Sequence, residues 1–176
     1  MSSTAVLSSA SGILSLLDES DPSLQIHALN QLNTIVDKYW PEIATVIPKI
    51  EILYENESFN NRGLAAIVTS KVYYHLEELD EALKYALGAG ELFDVNNKSE
   101  YVQTLISKCI DEYIRLRVLQ TETKRKPTTE NEEENSDVKM KENEEIKIDT
   151  RLVNVVERMF ERCFTDGLYR QGKCTV

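Results

Sequence analysis

Histidine is the side chain most often used for acid–base chemistry near neutral pH, and this chain has two, His27 and His75. Neither has a cysteine or second histidine at ligand spacing, so both read as structural residues and not as catalytic or metal-binding ones. Cys109, Cys163 and Cys174 are odd in number and widely separated, which suggests neither a disulfide framework nor a Cys-x-x-Cys metal knuckle and fits a reducing compartment. Gly88-Ala-Gly90 has neither the lysine nor the preceding strand of a phosphate-binding loop, and its place in a helical pattern makes close packing its expected role. The acidic run Glu130-Asn-Glu-Glu-Glu134 lacks the alternating ligands and turn glycine of a calcium loop and reads as a solvated tract. Lys124-Arg-Lys-Pro127 has the form of a minimal nuclear import signal, and Thr129, ahead of Glu132, that of a phosphorylation site. Catalytic, cofactor-binding and metal-binding residues are accordingly expected to be absent, with no cofactor and no enzyme activity.

Composition narrows the partners. A formal net charge of −10 on 176 residues opposes nucleic acid, which is attracted by clustered Lys and Arg. No stretch approaches the roughly 20 apolar residues a membrane span needs. The apolar start, Ala5 to Leu17, has no basic residue before Lys38 and so lacks the flank of a signal peptide. No small-molecule substrate is suggested, and the location expected is cytoplasmic and nuclear. Asn56-Glu-Ser58 and Asn97-Lys-Ser99 match the glycosylation pattern and, with no secretory route, are read as chance.

The elements that would carry any surface are helices throughout. Ile13, Leu14, Leu16 and Leu17 precede a polar break, where Asp21 as N-cap and Pro22 at the first position open a second helix. Leu24, Ala28, Leu32, Ile35, Val36 and Tyr39 line its apolar face, and it is expected to stop before Pro41. The next stretch carries Ile43, Val46, Ile47, Ile50, Leu53 and Tyr54, with a kink expected at Pro48. After a polar turn at 57–61, residues 64–95 read as a helical hairpin turning near Glu77, Glu78 and Leu79. Ala65, Ala66, Val68, Ser70, Val72 and Tyr73 face Ala82, Leu83, Tyr85, Ala86, Ala89 and Leu92 across it. Asn97 and Glu100 have the spacing of a capping box and open a helix that should end near Leu119, with Tyr101, Val102, Leu105, Ile106, Cys109, Tyr113 and Leu116 inward.

From Gln120 to Ile146 the composition turns to Lys, Glu, Thr and Asn, a disordered linker by its inability to bury apolar surface. A further helix starts at Asp149 or Thr150, carries Leu152, Val153, Val155, Val156, Met159, Phe160 and Cys163, and ends at Asp166 and Gly167. The expected fold is all-α, antiparallel hairpins forming a short α-solenoid with an acidic linker. Its parts are a helical segment at 1–119, the linker at 120–148, a further helical segment at 149–171 and a divergent end at 172–176.

The 70–95 passage resembles a tetratricopeptide unit in Tyr73, Ala82 and Ala89, with Glu77 at the usual turn glycine, and no second copy follows. A free-standing peptide-binding adaptor of that type is the alternative reading. A closer resemblance rests on Ala86-Leu-Gly-Ala-Gly90 together with Ser11-Gly-Ile-Leu-Ser-Leu-Leu-Asp-Glu19, Tyr39-Trp-Pro-Glu-Ile43, Lys49-Ile-Glu-Ile-Leu-Tyr-Glu55, Ser99-Glu-Tyr-Val102, Lys108-Cys-Ile-Asp-Glu-Tyr113 and Arg151-Leu-Val-Asn-Val-Val-Glu-Arg-Met159. In order and spacing these resemble the N-terminal region of the family of 26S proteasome non-ATPase regulatory subunit 1, the larger scaffold subunit of the base. The resemblance implies a non-catalytic scaffold segment of the regulatory particle, supporting ATP-dependent degradation of ubiquitinated proteins, with base and lid subunits as partners. After Tyr169-Arg-Gln171 that family continues into a toroid of proteasome/cyclosome repeats, whereas this chain ends Gly172-Lys-Cys-Thr-Val176, so a truncated product is expected. Val156, Phe160 and Leu168 would then lack cover, and aggregation or rapid turnover is expected of such a product.

Overall fold

The computed structural model describes residues 9–125 and 147–165, and every regular element among them is helical. In order these are α1 (Ser11–Leu14), a 3₁₀ turn (Ser15–Asp18), α2 (Pro22–Ala44), α3 (Ile47–Glu55), α4 (Arg62–His75), α5 (Leu79–Gly88), a second 3₁₀ turn (Gly90–Leu92), α6 (Glu100–Arg125) and α7 (Thr150–Thr165). None of these helices is long and apolar enough to cross a membrane.

The two internal prolines divide the chain in the reverse of the expected way. α2 runs through Pro41 and bends there, with Tyr39 leaving helical geometry at φ −114° and ψ 16°. A proline ring displaces the carbonyl four residues earlier and removes one N–H, which kinks a helix whose flanks are otherwise held. Ile43 is fully buried just beyond the kink, so packing carries the helix across it. Pro48 instead sits in the first turn of α3, after a break at Thr45 and Val46. There its missing N–H has no intrahelical partner to lose.

Asp21 caps α2 as expected, its side chain accepting from the Ser23 N–H at 2.8 Å. The α6 cap lies elsewhere than expected: Ser99, not Asn97, is the N-cap, its Oγ accepting from Val102 N at 3.4 Å and its carbonyl from Gln103 N at 3.1 Å. Asn97 acts one step earlier by accepting from Ser99 N at 2.9 Å, and Asn56 does the same for Ser58 at 3.0 Å. Both glycosylation-like triplets therefore serve as side-chain turns. α6 also outruns Leu119 to reach Arg125, because Gln, Glu, Lys and Arg are good helix formers even where nothing is buried. Most of the expected linker, including Glu130 to Glu134 and Thr129, lies outside the described residues, as does everything from Asp166 onward.

α4 is the central element. Leu64 to Ser70 are buried without interruption, and the helix packs on α2, α3 and α5 together. α4 and α5 run antiparallel: Ser70 stands opposite Ala82, and Gly63 opposite Ala89, whose carbonyl lies 3.1 Å from where a Cβ on Gly63 would be. Their connection is a Schellman turn, in which Glu78 N donates to Tyr73 O at 3.0 Å and Glu77 N to Tyr74 O at 3.1 Å. Glu77 takes the left-handed position at φ 63° that this turn reserves for glycine. α5 ends at Gly88, and Gly90 at φ 60° turns the chain out of it, so the glycine pair terminates the helix instead of lying within it. Leu92 consequently points to solvent, unlike its expected inward place, and Leu24 is likewise exposed in the first turn of α2. Leu29, Phe93 and Val95, not singled out by helical spacing, are fully buried.

Two polar ties hold the helices in register. Ser70 Oγ donates to Ala82 O at 2.6 Å, and because that uses its only proton, Tyr101 Oη at 2.7 Å donates to Ser70; α4, α5 and α6 are joined at one buried atom. Glu51 Oε1 of α3 accepts from both Tyr73 Oη and Tyr85 Oη at 2.8 Å, while the two rings stack with centroids 5.7 Å apart. After the linker α7 returns to pack on α5 and α6 through Leu152, Val155 and Val156, with Arg162 donating to Val95 O. Val156 is thus covered, contrary to expectation, whereas Phe160 is exposed. Leu168 lies outside the described residues.

Neighbouring positions on α4 provide opposite tests of this packing. Thr69 Oγ1 is buried without a hydrogen-bond partner, so Thr69→Val should raise stability by about 1 kcal/mol, while Ser70→Ala, which orphans the Tyr101 hydroxyl, should lower it by about 1–3 kcal/mol. Urea unfolding of the two variants measures both signs. Alkaline pH provides a second test. Burial and the Glu51 carboxylate push the Tyr73 hydroxyl from 10.0 up to about 12, and Tyr85 moves the same way for the same reasons. Since the folded values are raised, their contribution to stability is complete below about pH 10 and is lost as pH rises toward 12. Circular dichroism should show helix lost cooperatively in that window, with tyrosinate absorbance rising in step; full tyrosine ionisation near pH 10 with helix intact would contradict it.

Candidate functional site

His27, His75 and Cys109 lie on three different helices. His27 is exposed on α2, while His75 at the end of α4 places Nε2 3.1 Å from Asp37 Oδ1 and stacks on Trp40 at 5.8 Å. Cys109 is buried in α6, and desolvation pushes its thiol up to about 12, leaving it protonated and a poor nucleophile. The Cys163 side chain and Cys174 lie outside the described residues, as do Lys126 and Pro127; Lys124 and Arg125 close α6. Among the described residues no group of His, Cys, Asp and Glu could hold a metal ion. Gly88 is needed for contact: a Cβ there would lie 2.9 Å from Cζ of Tyr54.

The structure does form a cleft of about 660 Å³, between α2, the end of α4 and the segment that leads into α6. Asn33 and Asp37 come from α2, Lys71, Tyr74 and His75 from α4. Lys71 is the one lysine of α4. Its ammonium turns inward, donating to Asn33 Oδ1 at 2.7 Å and Asn33 O at 3.3 Å. Desolvation lowers its pKa and the nearby Asp37 opposes that shift. Tyr74 meets His75 and Tyr101 edge-on, each at 5.4 Å, so the cleft has one aromatic wall. Such a cleft can hold a group by charge, hydrogen bonds and ring faces.

Nothing in the sequence singled out this cleft, because its walls come from segments more than fifty residues apart in places and a spacing pattern reads only one element at a time. The available signal was Lys71 itself. A lysine on a helix buried on several sides must either reach solvent or find an acceptor, and here it finds Asn33. Elsewhere the described surface has apolar residues at the far end of α6, Ile114 and Val118, and on α7, Phe160 and Phe164.

Comparison with known proteins gives a consistent result. The family described as "26S proteasome subunit RPN2, N-terminal domain" matches residues 8–173. The chain is 48% identical over 170 residues to the 26S proteasome non-ATPase regulatory subunit 1 homolog B of Arabidopsis thaliana, covering 96% of this chain and 15% of that protein. It is 48% identical over 166 residues to the 26S proteasome non-ATPase regulatory subunit 1 of Drosophila melanogaster, covering 94% and 14%. For the 26S proteasome regulatory subunit rpn2 of Schizosaccharomyces pombe the identity is 40% over 167 residues, covering 95% and 15%. The chain thus spans about 15% of the length of these curated relatives. With the matched region running through every helix from α1 to α7, the chain belongs to the RPN2 N-terminal domain family of 26S proteasome subunits.

Proposed function

We propose that this chain is a non-catalytic scaffold segment of the 26S proteasome regulatory particle, contributing to ATP-dependent degradation of ubiquitinated proteins in cytoplasm and nucleus. The observation that carries this reading is the family match over residues 8–173, which leaves almost none of the chain for another role. Its mechanism is packing: faces buried around α4 make a stiff body, and the outer ridges of α2, α6 and α7 are offered to other base and lid subunits. In this reading the helices form the first turns of an α-solenoid, divided by the linker at 120–148 into segments 1–119 and 149–171.

The test is affinity purification of the tagged chain from cells under mild salt, with mass spectrometry of what accompanies it. Base and lid subunits recovered in matching amounts are the expected result. Recovery of chaperones alone, or hydrolase activity that stays with the chain through purification to homogeneity, would overturn the scaffold reading.

A further inference from the structure

The cleft beside Lys71 has features that the scaffold reading does not use. Three carboxylates stand at its lining, Asp37, Asp94 and Glu100, against one ammonium. That ammonium, on Lys71, is already turned onto Asn33, and His75 faces Asp37. Asp94 keeps its Oδ1 on the Asn96 N–H at 2.9 Å and leaves its other oxygen free of that bond. The field at the mouth is therefore negative and suits a cation.

The first turn of α6 also opens here, and a helix N-terminus on its own favours an anion. That preference is met in part within the chain. Ser99 Oγ and carbonyl take the Val102 and Gln103 N–H groups, and Glu100 places its own carboxylate in the same turn. An incoming phosphate or acidic side chain would meet the carboxylates of Asp37, Asp94 and Glu100 at the lining.

Two apolar features complete the chemistry. Tyr74 is half-buried in the wall, held edge-on between His75 and Tyr101. A tyrosine ring at a cleft wall attracts a cation such as a guanidinium. Leu92 stands at the rim with 54% of its surface exposed, although the glycine turn beside it places it next to buried Phe93. An uncovered leucine next to an acidic, aromatic-walled cleft fits a partner residue that is itself apolar.

We propose that this cleft docks a short extended peptide of a partner protein, with an arginine seated against Tyr74 between the carboxylates of Asp37, Asp94 and Glu100, and an adjacent apolar residue on Leu92. Arginine fits better than lysine because its planar fork can pair with two carboxylates while stacking on a ring. The volume of about 660 Å³ lies within the range that holds a drug-sized ligand or a few peptide residues. The inference is independent of the proteasomal reading, since the test needs no proteasome.

The experiment is a nuclear magnetic resonance titration of the isotope-labelled full chain with a blocked peptide of alternating arginine and leucine, beside the same peptide with glutamate for arginine. Shifts should concentrate at Tyr74, Leu92 and the start of α6 with the arginine peptide alone. The triple variant Asp37→Asn, Asp94→Asn, Glu100→Gln should weaken binding by roughly tenfold, and Leu92→Ala should weaken it without any change of charge. A matched triple at exposed sites elsewhere, Glu55→Gln, Glu57→Gln, Glu122→Gln, removes the same charge and should leave binding nearly intact. Equal weakening by both triples would mean diffuse attraction to an acidic surface and would overturn the proposal. So would absence of binding, equal binding of the glutamate peptide, or shifts centred away from the cleft.

Discussion

The burial of α4 on several sides at once is the constraint from which the rest of the arrangement follows. A helix that faces α2, α3 and α5 together cannot keep a polar stripe at its middle, and residues 64–70 leave none exposed. Their sizes settle how near the neighbours come: Ala65, Ala66 and Gly63 let α5 approach closely enough for Ser70 to reach the Ala82 carbonyl. That short distance lets the serine act as a junction, because the same oxygen then receives Tyr101 from α6. Glu51 performs the corresponding task one turn along for α3, with two tyrosine hydroxyls on one carboxylate oxygen. Both ties join elements that hydrophobic contact alone would leave free to slide.

Much of this was legible in the sequence, for reasons that can be given residue by residue. Three- and four-residue spacing located each long helix, since an amphipathic face is a property of one segment. The Asp21 cap and the turn at Glu77 were equally local. What misled was chemistry with two outcomes that only the tertiary surroundings decide. Pro41 was expected to stop α2 and bends it because buried Ile43 holds the far side, whereas Pro48 was expected to bend a helix and starts one. Asn97 and Ser99 both have capping side chains within three residues of Glu100, and the backbone turn gives the cap to Ser99. Leu92 had the right spacing for the core and lost its place to the left-handed Gly90.

Surface function was less legible than fold. The family was legible, since the Ala86-Leu-Gly-Ala-Gly90 passage resembles the one that comparison with relatives shows. The cleft could not be foreseen, since Asn33, Lys71 and Glu100 meet only after α2, α4 and α6 have packed. Lys71 illustrates the general case. A charged side chain on a helix buried on several sides marks a place where the fold had to supply a polar partner, and such places deserve inspection for partners from outside the chain as well.

The packing makes one cooperative body around α4, with α2, α3 and α5 on its faces. Hydrogen exchange of the full chain, read amide by amide, tests it most directly. Amides of Leu64 to Val72 should be the slowest in the molecule and should exchange only through global unfolding, with Tyr101 to Cys109 next and the exposed end of α6 far faster. Exchange of the α4 amides as fast as those at the end of α6 would contradict it, for the helix on which α2, α3 and α5 rest would then be open while its neighbours remained formed.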